Sequence, residues 1–228
     1  MSTIEIIRLG GMKAVTRFKE HVRALGLNIP CDDELCLDQH SPLRQMLVKE
    51  KLVIGNRIAV QPMEGWDGFA DGNPSEHTLR RWRRFGRTGA KLIWGGEAVS
   101  VSHEGRANPN QLLAAEHTAA GLTQLRTVLV EEHRRVTGSD HGLVLGLQLT
   151  HSGRFSRPNS SQQGEPRILY HHPILDRRMK LPEDYPVLTD GEIRSMWRTF
   201  TALPFWRGSW DLISWMLSTV TGTWATNS

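Results

Sequence analysis

The sequence has few cysteines and no long apolar run, and these absences exclude several classes of protein. Cys31 and Cys36 are the only cysteines among 228 residues. They are too few for a disulfide framework or a four-ligand metal site, so no metal is expected. No stretch reaches the roughly 18 consecutive apolar residues of a membrane span, and Met1 to Gly11 lack the apolar core of a signal peptide. We therefore expect a cytoplasmic, reducing location.

The charge balance is mildly basic and otherwise typical of a globular protein. Charged residues make up 23% of the chain and hydrophobic residues 39%, with a net charge of +4, which is the composition of an ordinary folded domain. Basic side chains concentrate at 80–84 and again at 132–135. No nucleic-acid-binding motif accompanies them, so solvated helix faces are favoured over a nucleic-acid interface.

Strand and helix signals alternate between residues 57 and 149. Apolar β-type runs at 57–61, 91–94 and 142–149 predict three strands, with helices predicted over 75–87 and 112–136 between them. Because each crossover between parallel strands needs a connecting element such as a helix, this order predicts an α/β fold with a parallel sheet. A short helix is also expected around 17–25, and another is expected to start at Thr189 or Asp190.

Three motifs lie at the ends of the predicted strands. They are Asn56-Arg57-Ile58-Ala59-Val60-Gln61-Pro62-Met63, Gly96-Glu97-Ala98, and Gln148-Leu149-Thr150-His151-Ser152-Gly153-Arg154. In this order they resemble the front half of an Old Yellow Enzyme-type NADH:flavin oxidoreductase, over roughly residues 40–196. The resemblance implies the N-terminal portion of a (βα)8 TIM barrel, about the first three to four βα units, with its chemistry at the carboxyl ends of the strands.

The resemblance also implies a cofactor and the residues that contact it. The cofactor is FMN, reduced by NADH or NADPH, and the substrate is a small molecule with an activated C=C bond, of enone or dienoyl type. The implied flavin contacts are Pro62, Met63, Glu64, Ala98 and Gln148. An amide such as that of Gln148 offers both the donor and the acceptor that the pyrimidine edge of a flavin requires. Relatives often carry Thr or Cys at the Glu64 position, and a carboxylate there disfavours an anionic reduced flavin unless it is protonated or turned away.

Three further residues have weaker roles in this interpretation. Trp66 either borders the substrate or is an ordinary loop aromatic. His151 and Arg154 are expected to support the site, or to form a hydrogen-bonded pair at the rim of a barrel, rather than to act in catalysis. No catalytic residue is assigned, because the substrate-anchoring histidine region of such enzymes follows the fourth strand. No membrane or nucleic-acid partner is expected, and an oligomer remains open.

The composition divides the chain into three segments. We predict an N-terminal extension over 1–50, a partial barrel over 51–196 with a long loop at 155–186, and an aberrant tail over 197–228. The tail holds five of the eight tryptophans.

A shift of the reading frame by one base accounts for the composition of the tail. In that frame Met196-Trp197 must yield Val and Trp210-Asp211 must yield Gly, and permitted choices elsewhere spell a helix–strand unit resembling the family's fourth. The strand-seven and strand-eight loops that hold the FMN phosphate in this family would then be missing. The alternative function is therefore a catalytically inactive, truncated product, and a Trp-rich membrane-interface segment is a further alternative for the tail.

Overall fold

A computed structural model of the chain describes residues 8–38, 40–50 and 52–201. These residues form two compact units, divided between Pro42 and Leu43. The predicted Trp-rich tail lies outside the described residues from position 202 onward, so the reading-frame hypothesis stays a prediction. In the part of the chain that is described, no helix combines the length and the apolar character needed to cross a membrane.

The first unit is built around one helix. This helix, α1, spans Val15–Ala24 and buries Val22. Lys19 on α1 forms an ion pair of 2.9 Å with Asp33. The sequence predicted this helix, which begins two residues earlier than expected.

The second unit contains the remaining strands and helices. In chain order they are β1 (Leu47–Lys49), β2 (Leu52–Ile54), β3 (Ala59–Val60), α2 (Glu76–Arg87), β4 (Leu92–Ser100), α3 (Ala119–Thr137), β5 (Val144–Thr150), α4 (Pro173–Met179) and α5 (Asp190–Thr201). Strands β1 and β2 pair antiparallel, and this pair was not predicted from the sequence.

A three-stranded parallel sheet forms the centre of the second unit. Its strand order is β3-β4-β5, with Val60 opposite Ile93 and Leu92 opposite Val144. Helices α2 and α3 bury their apolar sides in one core with the sheet, as expected for parallel strands joined by helical crossovers. The core residues include Leu79, Trp82, Leu122, Leu125, Leu129, Ile93, Val99, Leu145, Leu147 and Leu149. The predicted α/β fold with a parallel sheet is confirmed.

Local capping explains where the two long helices stop and start. The Ser75 hydroxyl accepts hydrogen bonds from the backbone N–H groups of His77 and Thr78 and so caps α2, as predicted. Helix α3 ends at Gly138, which has φ +79°. A side chain would strain the backbone in that left-handed conformation, and glycine relieves it.

Two boundaries differ from the sequence-based prediction by six or seven residues, in each case because of contacts made after folding. Strand β4 was expected to end at Trp94, but it continues to Ser100 with an irregular register between Trp94 and Ala98. Helix α3 was expected to begin at Leu112, but it begins at Ala119. Residues Leu112 and Ala114 instead exchange backbone hydrogen bonds of 2.9 and 2.7 Å with Ser100, which hold them extended beside the strand end.

Candidate functional site

The carboxyl ends of the three parallel strands lie at one edge of the sheet. Ala98 of β4 lies opposite Gln148 of β5, and Ser100 lies opposite Thr150. The segment from Pro62 to Trp66 follows β3 at the same edge. The folded chain therefore brings together the strand ends that carry the residues predicted to contact a flavin.

Gln148 presents an amide that is available to a ligand. The residue is half-buried, and within the described ranges its side chain makes no hydrogen bond. Its neighbour across the strands, Ala98, is only 4% exposed. The edge thus combines a packed backbone with one accessible side chain that can both donate and accept.

Glu64 is held in place by the side chain of Trp66, two residues later in the sequence. The Trp66 indole N–H donates to Glu64 Oε2 at 2.9 Å, and Trp66 has the unusual φ of +50° for a residue with a side chain. Burial raises the pKa of Glu64 above its ordinary value, although the Trp66 hydrogen bond lowers it. Pro62 is half-buried and Met63 is 70% exposed. Burial and the Trp66 hydrogen bond therefore act on the pKa of Glu64 in opposite directions, and burial has the larger effect.

Gln111 belongs to this site, and sequence reasoning did not find it. Its side chain is fully buried, and its amide nitrogen lies 3.0 Å from the Ala98 carbonyl oxygen, 3.1 Å from Thr150 Oγ1 and 3.4 Å from Glu64 Oε1. Its amide oxygen accepts the Ala107 N–H at 2.6 Å. One side chain thus joins the ends of β4 and β5 to the segment after β3. The available signal was a polar residue directly before the apolar run Leu112-Leu113-Ala114.

Arg106 fixes the loop that carries Gln111. It is 1% exposed, and its guanidinium donates to the carbonyl oxygens of Gln111 at 2.9 Å and Ala70 at 2.7 Å. Burial lowers its pKa from the ordinary value. A buried guanidinium bound by backbone carbonyls positions the loop rather than leaving a cation free for a ligand.

A second buried network lies behind the segment after β3. Glu97 is 1% exposed and binds the Arg81 guanidinium of α2, which also binds Asp67. Glu97 Oε1 accepts the Gly65 N–H at 2.8 Å. Burial raises the pKa of Glu97 to about 7, although the attraction of Arg81 and the Gly65 hydrogen bond act in the opposite direction. The sequence had assigned Glu97 no role of its own.

His151 and Arg154 lie beyond the end of β5 and make different contacts. His151 Nδ1 accepts the Gly153 N–H at 3.1 Å, while Nε2 is buried without a partner in the described part of the chain. Burial lowers the pKa of His151. Arg154 forms an ion pair with Asp176 and donates to the Tyr170 carbonyl at 2.6 Å. Arg154 therefore ties α4 to the strand end rather than pairing with His151.

A separate cleft lies in the long loop that follows β5. Its volume is about 680 Å³, and its walls include Glu104, Arg167, Tyr185 and Glu192. None of the residues predicted from the strand-end motifs lines it. The candidate site at the strand ends and this cleft are therefore distinct features.

Comparison with solved structures shows which fold the described residues share. The chain superposes on the Old Yellow Enzyme from Pichia sp. AKU4542 with a TM-score of 0.53 and 16% identity, covering 72% of this chain and 42% of that one. The old yellow enzyme from Trypanosoma cruzi superposes with a TM-score of 0.50 and 19% identity, covering 71% of this chain and 46% of that one. A 2-naphthoyl-CoA reductase in complex with 2-naphthoyl-CoA superposes with a TM-score of 0.55 and 15% identity, covering 71% of this chain and 24% of that one.

These matches show a fold, and the chain spans less than half the length of each of these structures. The shared fold is part of a (βα)8 barrel, as the sequence predicted. No protein-family model and no curated protein matches the sequence.

Proposed function

We propose that this chain supplies the flavin-ring contacts of an FMN-dependent oxidoreductase that reduces an activated C=C bond with NADH or NADPH. The observation that carries the proposal is the accessible amide of Gln148 at the carboxyl end of a parallel strand, opposite the packed Ala98. Ligands in (βα)8 folds bind at this end of the strands. The likeness to Old Yellow Enzyme-type structures supports the assignment at the level of fold.

The residues at the strand ends fit the ring of a flavin. The Gln148 amide would hold the pyrimidine edge, because that edge presents both hydrogen-bond donors and acceptors. Burial raises the pKa of Glu64, and its carboxyl oxygens accept hydrogen bonds from Trp66 and Gln111, which would partly offset its negative charge beside a reduced, anionic ring. When bound, FMN would supply hydride transfer, and Pro62, Met63 and Glu64 would orient it and shield it from water.

The phosphate of FMN is expected to contribute little to binding by this chain. In the barrel resemblance that group is held by loops after strands seven and eight, and the described residues provide three parallel strands. We therefore expect riboflavin and FMN to bind with nearly equal affinity. A preference for FMN of tenfold or more would contradict this ring-centred assignment and indicate a phosphate site.

The test is a flavin titration followed by quenching of flavin fluorescence. Gln148→Leu should weaken FMN binding about fivefold, the effect of about 1 kcal/mol for one hydrogen bond. Gln124→Leu is the matched control, because Gln124 is exposed and lies on helix α3 rather than on a strand of the sheet. Equal affinities for the two variants, or no binding by the unaltered chain, would refute the proposal.

Turnover separates the enzyme from the alternative of a catalytically inactive product. The alternative is the one that the sequence composition of the tail raised. Oxidation of NADH or NADPH that depends on added FMN and on an enone such as 2-cyclohexenone supports the enzyme. Flavin binding without such oxidation supports the inactive product.

A further inference from the structure

A buried carboxylate stands directly behind the segment that carries Glu64 and Trp66. Glu97 lies in the irregular part of β4 between Trp94 and Ala98, where a bulge re-aims side chains relative to a regular strand. Its carboxyl group is almost fully buried and accepts the Gly65 N–H at 2.8 Å. Gly65 lies between Glu64 and Trp66, so this hydrogen bond fixes the middle of the segment that carries them.

Arg81 completes the connection between Glu97 and the same segment. Its guanidinium binds Glu97 and also Asp67, which is on the loop that follows β3. A β-carbon at Gly65 would overlap this guanidinium. A side chain at this position would displace the Arg81 guanidinium, so glycine allows the close approach that packs the segment against α2.

The segment is held in a conformation that an isolated loop rarely adopts. Trp66 has φ +50°, and a residue with a side chain keeps such a backbone only when its surroundings impose it. The contacts that impose it are the Gly65 hydrogen bond to Glu97 and the indole hydrogen bond from Trp66 to Glu64.

We propose that Glu97 is a positioning residue: ionised, it binds Arg81 and the Gly65 N–H and holds Glu64 and Trp66 in place, and protonation releases them. The inference rests on the proposed function only in what the site binds. It makes flavin binding at the strand ends depend on the charge of a side chain that does not touch the flavin.

The electrostatic surroundings of Glu97 set the pH range of this dependence. Arg81 of α2 and Asp67 of the loop are the charged groups that act on it, and β5 presents the uncharged Gln148 at the neighbouring position. Burial raises the pKa of Glu97 to about 7. The segment is therefore expected to be held above neutral pH and released below it.

The first experiment reads the Gly65 amide directly and needs no flavin. The sequence contains two Glu-Gly pairs, Glu64-Gly65 and Glu104-Gly105. Labelling glutamate carbonyls with ¹³C and glycine nitrogens with ¹⁵N therefore leaves two correlated NMR signals, and Glu104→Gln removes one. The Gly65 amide proton should move upfield in a single step as the pH falls from 8.5 to 5.5. In Glu97→Gln that step should vanish.

The second experiment measures the consequence at the site. FMN affinity should fall at least fivefold between pH 8.5 and pH 5.5, and Glu97→Gln should be weak at both values. Glu132→Gln is the control, because it removes one charge from an ion pair with Arg87 and Arg135 outside the site and should retain the pH dependence. Glu97→Asp, which restores the charge on a shorter side chain, should recover part of the affinity at pH 8.5.

The two readouts separate the inference from the proposed function. A Gly65 signal that does not titrate, or that titrates equally in Glu97→Gln, overturns the inference whether or not FMN binds. A titrating Gly65 signal in a chain that binds no flavin keeps the positioning role but refutes the proposed function. FMN affinity with no pH dependence, beside a titrating Gly65, overturns the link between them.

Discussion

Two glutamines lie at the same sheet edge, and replacing each of them by leucine is expected to affect a different property of the protein. Gln111 is fully buried, and its amide bonds to the Ala98 carbonyl and the Ala107 N–H. Gln148 is half-buried and makes no side-chain hydrogen bond within the described ranges. We predict that Gln111 is needed for stability and Gln148 for ligand binding.

The magnitude for Gln111→Leu follows from the groups that lose a partner. The Ala98 carbonyl and the Ala107 N–H are left without the amide, and each such loss costs about 1–3 kcal/mol when the group is shielded from water. Thr150 Oγ1 keeps its contact with the Val99 carbonyl at 3.4 Å, so it adds little. We expect a loss of about 2–6 kcal/mol in the free energy of unfolding. For a urea dependence of about 2 kcal/mol/M, the midpoint should fall by about 1–3 M.

Urea denaturation followed by far-UV circular dichroism, together with FMN titration, tests both variants. Gln148→Leu should change the free energy of unfolding by less than about 0.5 kcal/mol, since it breaks no internal contact, while weakening FMN binding. A loss below about 0.5 kcal/mol for Gln111→Leu would refute the view that its amide joins the strand ends. Equal destabilisation by both variants would show that Gln148 is also part of the internal network.

Four further outcomes follow from the structure. Leu125→Ala, at a fully buried core position, should cost about 2–5 kcal/mol in urea denaturation, and a cost below 1 would contradict the core assignment. Because burial raises the pKa of Glu97 from 4.5 to about 7, its contribution to stability is present below about pH 4.5 and lost as the pH rises through 7; Glu97→Gln, measured over that range, should abolish this slope. Burial lowers the pKa of His151 below 6.5, so its contribution is present above pH 6.5 and lost as the pH falls through the folded value. Titration of the His151 ring by NMR at or above 6.5 would contradict this. Asp176→Asn removes the ion pair with Arg154 and should speed tryptic cleavage of the loop at 155–186, whereas an unchanged rate would show that the loop is anchored elsewhere.

Much of the fold could be predicted because the signals for it are local. The apolar run that became β5, the Ser75 cap of α2 and the glycine that ends α3 each act over a few residues. The order of strands and helices then restricts the sheet to a parallel arrangement. The three strand-end motifs are consequently predicted to lie at one edge of that sheet.

The parts that sequence reasoning missed depend on contacts between distant positions. Glu97 meets Gly65 across 32 positions, and Gln111 meets Thr150 across 39. No periodicity or cap signal marks such pairs, because the two partners lie far apart in the sequence. The extension of β4 to Ser100 and the late start of α3 have the same origin, because Leu112 and Ala114 bond to the strand end only once the sheet exists.

The sequence by itself determined the element order, the parallel sheet and the edge at which polar residues collect. Only the tertiary structure decided which of those residues are free and which are committed to internal bonds. The physical reason is that burial and hydrogen-bond satisfaction are properties of the folded neighbourhood, not of a residue's type. Gln111 and Gln148 carry the same amide, yet packing made one a structural link and left the other open to a ligand.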